Sequence, residues 1–303
     1  MSIITMQTVI AKLCVDFKFR ESFLGDPDKT LEEFSLTSEQ VESIKAIDLE
    51  AINDYAGSLI GKRMGLIKKW LPLSVVVLET NLQSGRLNRI LHRYGLEYIR
   101  DTDDLGGEWV RSEFKRFCNY LRELISLKQI DIRYFADVLE FEVVKFSMMM
   151  DSDVSRSAIE FAESNGAAAQ IDFAEMALGE LRPVLGAHAR VRLFNYDMGE
   201  LIEHLENFHA TPELEEEPTW VLFFKKAHSV KVDSSTINPP LKDLLDLCTG
   251  DRTVEEIVSA IASKYALALE VSEEDLRDDS LGILEQIYKA GAITFIAEKR
   301  KNA

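Results

Sequence analysis

The run WVLFFKKAHSVKVD (220–233), followed by LKDLLDLCTGDRTVEEIVSAI (241–261), decides how the C-terminal part of this chain folds. Trp220 to Phe224 is apolar at consecutive positions, which suits a strand buried on both faces. Lys225 to His228 reads as a turn. Ser229 to Asp233 alternates in polarity and returns as a second strand. Apolar residues then recur at helical spacing, giving helices over about 240–248, 254–265 and 272–290, the first two separated by Thr249-Gly250-Asp251. Ile293 to Ile296 supplies a closing strand. A small sheet packed on three helices predicts a winged-helix α+β arrangement.

Working outward, Glu213 to Pro218 is an acidic, proline-bounded linker and marks a domain boundary. Before it, Val191 to Tyr196 alternates like a strand. Asp197 follows as an N-cap paired with Glu200, opening a helix to about Phe208. Residues 73–185 read as helices. The clearest cover about 108–127 and 132–150, and a further one fits 171–181, ended before Pro183. Gly95, Gly106-Gly107 and Asn165-Gly166 mark loops. In the first 72 residues the spacing predicts short helices. Thr37 and Gln40 have capping-box spacing, 51–70 is helical, and Pro72 closes the unit. The expected fold class is mainly α: helical N-terminal (1–72) and central (73–212) domains, then a C-terminal winged-helix α+β domain (213–303).

Composition narrows the function classes. Of 303 residues, 46% are hydrophobic and 29% charged, the balance of a globular chain. Lys and Arg number 35 against 52 Asp and Glu, a formal charge of −17 that repels nucleic-acid phosphates and anionic lipid and attracts basic partners. Cys14, Cys118 and Cys248 are scattered, as expected of reduced thiols in the cytoplasm. The first residues lack the pattern of a signal peptide, and the apolar run 71–78 is too short to cross a bilayer.

No catalytic constellation is legible. His92, His188, His204, His209 and His228 stand in no metal-ligand spacing, and no phosphate-loop or nucleophile-elbow pattern occurs. No catalytic residue, metal or cofactor is expected. Glu142 lies on the apolar stripe Phe135, Val138, Phe146, Met149 of one helix. A buried carboxylate there needs a partner, either a nearby donor of the same chain or a second protein. Met149 is likewise either core packing or a partner contact. The helix from 272 opens with Glu273, Glu274 and Asp275 and continues with Asp278 and Asp279, which opposes docking on DNA. An open strand edge beside that helix can instead take up an extended peptide, and Gly282 permits a close backbone approach.

The segment 241–261, with Leu247-Cys248, Gly250 and Thr253 to Ile257, together with the closing run Ile283 to Ile293, resembles the PqqD-type recognition element that binds leader peptides of ribosomally made natural products. The resemblance covers about 85 residues. It implies that a leader peptide adds to the sheet edge and rests on the third helix. The corresponding peptide-binding residues are Val230, Lys231, Val232 and Asp233 on the strand and Asp279, Gly282, Ile283 and Gln286 on the helix. The segments 134–142 and 189–198, with the linker and strand that follow, are similar to partner proteins of multinuclear non-heme iron oxidases, which implies that the iron belongs to the partner enzyme. Phe17 to Val41 resembles the small helical unit of ring-opening dioxygenase small subunits and of split borosin leaders.

These resemblances imply a non-catalytic cytoplasmic subunit. It would bind a precursor peptide and hand it to a modifying enzyme, an iron-dependent oxidase, as part of a hetero-oligomer without nucleic acid or membrane. Two alternatives make different predictions. A winged-helix transcription regulator would bind DNA in a salt-dependent way. An enzyme built from dispersed carboxylates such as Glu140 and Glu142 would hold stoichiometric metal.

Overall fold

The computed structural model describes residues 3–83, 85–97, 108–167, 178–207 and 214–297. The chain is mostly helical, with small antiparallel sheets in its C-terminal part. It divides into two compact units, 1–132 and 133–303.

The first unit is helical among its described residues: α1 (Ile3–Val15), α2 (Phe17–Gly25), α3 (Pro27–Leu31), α4 (Ser38–Lys45), α5 (Leu49–Trp70), α6 (Pro72–Asn81), α7 (Arg86–Glu97) and α8 (Trp109–Ser126). The capping box at Thr37 forms as the spacing predicts. Gln40 N–H donates to Thr37 Oγ1 at 3.3 Å, and Thr37 N–H donates to Gln40 Oε1 at 3.0 Å. Val9, Leu13, Phe19, Phe23, Leu31 and Ile44 form one core cluster. Pro72 ends α5, but it also opens α6 as its first residue, where its missing N–H costs nothing, so the unit continues to Ile132. Gly95 sits inside α7 rather than in a loop. A Cβ there would lie 2.7 Å from Ile60 Cγ2, so the glycine lets α7 approach α5 closely.

The second unit starts with α9 (Phe135–Met150) and α10 (Ser152–Ala167). The helix runs through Asn165 and Gly166, which were expected to form a loop. Next come β1 (Leu181–Leu185), β2 (Ala189–Phe194), α11 (Met198–Glu206), β3 (Thr219–Lys225) and β4 (Val232–Ile237). The chain closes with α12 (Pro239–Leu247), α13 (Val254–Leu269), α14 (Glu273–Ala290) and β5 (Ile293–Ala297). The expected helix over 171–181 lies mostly outside the described residues, and its last residue, Leu181, begins a strand. Pro183 is tolerated there because β1 has a full ladder only with β5; on its other margin, where Val184 bridges Thr249, Pro183 takes part through its carbonyl, which accepts from the Gly250 N–H.

The three-stranded sheet has the order β2-β3-β4, all antiparallel. Its central strand is buried from Val221 to Lys225, as the unbroken apolar run requires. Leu222 and Phe224 join Leu244, Ile257, Ile261 and Leu284 in the core shared with α12, α13 and α14. Phe223, on the opposite face, meets Phe141 of α9 with ring centroids 5.2 Å apart. Because β2 precedes the acidic linker and β3 follows it, the expected boundary at 212/213 falls between two strands of one sheet, and the C-terminal core includes β1 and β2.

Candidate functional site

Among the described residues, β4 has β3 as its only strand neighbour, and no further backbone hydrogen bond closes its outer margin. An unpaired margin presents a row of N–H and C=O groups to any extended chain. Cross-strand pairing fixes which way each β4 side chain faces. Asp233, Ser235 and Ile237 stand opposite Phe224, Leu222 and Trp220 and share the face of α12–α14. Val232, Ser234 and Thr236 stand opposite Lys225, Phe223 and Val221 and share the face of α9.

The strand starts three residues later than its alternation suggests. His228 adopts a left-handed φ of 59°. Ser229 Oγ then accepts from the Lys231 N–H at 3.0 Å and donates to the Lys231 carbonyl at 3.2 Å, which holds 229–231 in a turn. Val230, 75% exposed, and Lys231 therefore belong to the turn, while Val232 and Asp233 are on the strand. Asp233 is paired with Lys226 at 2.8 Å.

On α14, Asp279 and Gln286 are exposed, and Ile283 packs against the core that also holds Ile237 and Trp220. A Cβ at Gly282 would meet nothing within 4 Å, so no neighbour in this chain requires a glycine there. The main packing partners of α14 are α13 and β5. Of the strand and helix residues expected to bind peptide, Ile283 alone joins the core that also holds Ile237 of β4, and no direct bond links the two sets among the described residues. The acidic residues Glu273, Glu274, Asp275, Asp278 and Asp279 are all exposed.

A groove of about 310 Å³ lies on the α9 face, lined by Phe141, Met198, Ile202, Val221, Ser234 and Thr236 among others. Gly199 brings the first turn of α11 against β4, where an added Cβ would sit 3.3 Å from Thr236 Cγ2. Sequence reasoning missed this groove. Its one local trace is the polar alternation of Ser234 and Thr236, which looks like an ordinary solvent-facing edge.

Glu142 is 5% exposed on α9, and its charge reaches Lys145, whose ammonium is held below its ordinary range mainly by burial. Met149 is half-buried, and its carbonyl accepts from Lys225 Nζ at 3.0 Å. His188 is 1% exposed. Its Nε2 donates to the Gly291 carbonyl at 2.7 Å, leaving Nδ1 to accept from Ser157 Oγ at 3.3 Å. That pair ties three segments together and offers no accessible nucleophile. Burial pushes the Cys248 thiol up to about 12, so it is inert at neutral pH. Among the described residues no group of three His, Cys, Asp or Glu is arranged to hold a metal, and no helix is long and apolar enough to cross a membrane.

The segments 134–142 and 189–198 come together in space. Tyr134 meets Tyr196 at 6.3 Å, Phe141 meets Phe194 at 6.2 Å, and Asp137 accepts from Asn195. Compared with known proteins, the chain matches no family model and no curated protein.

Proposed function

We propose that this chain is a non-catalytic accessory subunit that binds the leader of a ribosomally made precursor peptide and presents it to a separate modifying enzyme, an iron-dependent oxidase. The observation that carries the reading is the outer margin of β4, without a strand neighbour among the described residues and flanked by a groove. The reading draws on β3, β4 and the three helices that follow them, the part of the chain that contains the segment 241–293. An incoming strand gains backbone hydrogen bonds along β4 and sends alternate side chains to the two faces of the sheet. The exposed carboxylates of α14 favour basic leader residues. Holding the leader raises the local concentration of the residue to be modified, with no group of this chain touching the reacting bond.

Calorimetry with synthetic basic, extended leader-type peptides tests the reading, using Val232→Pro and Asp233→Pro. In an antiparallel edge strand successive N–H groups point alternately toward the neighbouring strand and outward. One proline variant therefore removes an outward donor. It should stay folded and bind at least ~10-fold more weakly, while the other loses stability. Wild-type affinity in both would remove strand addition. A low-salt gel shift distinguishes the transcription-regulator alternative, and no shift is expected, because the acidic face of α14 repels phosphate.

A further inference from the structure

We propose that the cavity among the helices of the first unit binds a small carboxylic acid with an apolar body. The cavity measures about 210 Å³ and is lined by residues of α5, α7 and α8 and of the α1–α2 corner. Leu59, Ile60, Leu66 and Trp109 give it an apolar wall. Its volume equals about seven waters at ~30 Å³ each. That space suits an acid of roughly ten non-hydrogen atoms and is smaller than typical drug-sized pockets.

Charge decides what the ligand carries. Arg20 lines the cavity and is 6% exposed. Its Nη1 donates to the Leu13 carbonyl at 2.6 Å and the Cys14 carbonyl at 3.4 Å, and its guanidinium lies 5.8 Å from the Phe17 ring. Among the described residues it makes no ion pair. The carboxylate of the lining, Glu113, is already engaged by Arg63 through a two-pronged contact, by the Tyr94 hydroxyl at 3.0 Å and by Arg116 at 3.6 Å. Lys62, also in the lining, adds a further positive charge. A guanidinium buried without a counter-charge carries a large desolvation cost. A ligand carboxylate relieves it through charge-assisted hydrogen bonds, and the apolar wall takes the rest of the molecule. In a chain of net charge −17, the local excess of cations sets this cavity apart from the surface.

The test titrates the full chain with octanoate, octanamide and inorganic phosphate, following tryptophan fluorescence, since Trp109 is in the wall. Octanoate should bind saturably at sub-millimolar concentration, with octanamide and phosphate each at least ~10-fold weaker. Arg20→Gln should lower octanoate affinity at least ~10-fold, the scale of a charge-assisted bond. Arg20 also holds the end of α1, so Leu59→Trp provides a second variant that fills the cavity and leaves the Arg20 bonds intact. Loss of octanoate binding by folded Leu59→Trp supports the site. Equal binding of octanoate and octanamide, tighter binding of phosphate, or unchanged octanoate binding by Leu59→Trp overturns it. The peptide reading of β4 stands or falls separately.

Discussion

The Asp137 carboxylate on α9 grips Asn195 twice, accepting its backbone N–H at 2.6 Å and its side-chain amide at 3.1 Å. Asn195 is the residue that follows β2, so this contact fixes the corner from which α11 departs. Burial pushes the Asp137 carboxyl above the ordinary range, and the Asn195 donors act in the opposite direction.

Asp137→Ala leaves both donors of Asn195 without this acceptor at a site 8% exposed. Hydrogen bonds to a charged group contribute about 1.5–3 kcal/mol, so a loss of about 2–3 kcal/mol is expected. For a unit of this size that lowers Tm by roughly 4–12 °C in calorimetry. Asp137→Asn keeps one acceptor and should lose less.

His188 makes stability depend on pH. Burial holds its imidazole below the ordinary 6.5, with the Gly291 carbonyl opposing. The unfolded chain therefore takes up a proton at higher pH than the folded one. Stability is full above about pH 6.5 and falls as pH drops from there toward the folded value. Urea midpoints at pH 7.5, 6.5 and 5.5 should decline, and His188→Gln should flatten the decline. Gly186→Ala, whose Cβ would sit 2.6 Å from His188 Nδ1, should destabilise at every pH, since the steric overlap with the ring is present in either protonation state.

The close approach of α7 to α5 rests on Gly95. Gly95→Ala places a methyl 2.7 Å from Ile60 Cγ2 and should cost about 1–3 kcal/mol despite the better helix propensity of alanine. Ile60→Ala in the same chain should recover at least ~0.5 kcal/mol of that in a double-mutant cycle by denaturation. Additive losses would mean that the two helices separate elsewhere.

How far the sequence reveals this molecule depends on whether each feature is local. The capping box of Thr37 and Gln40 spans three residues and forms as read. The apolar run of β3 needs no partner to be recognised, because burial on both faces leaves its own mark. Gly95 looked like a loop because its reason, Ile60, is distant in sequence. The residues 229–231 alternate like a strand, yet one serine hydroxyl closes a turn that the pattern of polarity does not encode. Pro183 looked like a helix stop, and the pairing of β1, a ladder with β5 on one margin and a single bridge at Val184 on the other, is set by residues distant in sequence. The Arg20 cavity assembles residues from 14 to 113, so no short pattern announces it. At the candidate site on β4, the strand itself was legible, while the groove beside it depends on α9 and α11 folding back over the sheet.

Gly282 separates stability from binding. In the free chain it sits within α14, and a Cβ there meets nothing within 4 Å. Glycine in a helix interior is about 0.8–1 kcal/mol worse than alanine, so Gly282→Ala should raise stability by about that amount in chemical denaturation. If a bound leader lies close to this turn of α14, as the resemblance implies, the added methyl occupies space needed by the peptide backbone, and affinity should fall by ~3–30-fold in calorimetry. The two effects have opposite signs, so a merely loosened protein cannot imitate them. A variant that gains stability and binds the leader as tightly as the wild type would remove α14 from the peptide site while leaving the edge of β4 untouched.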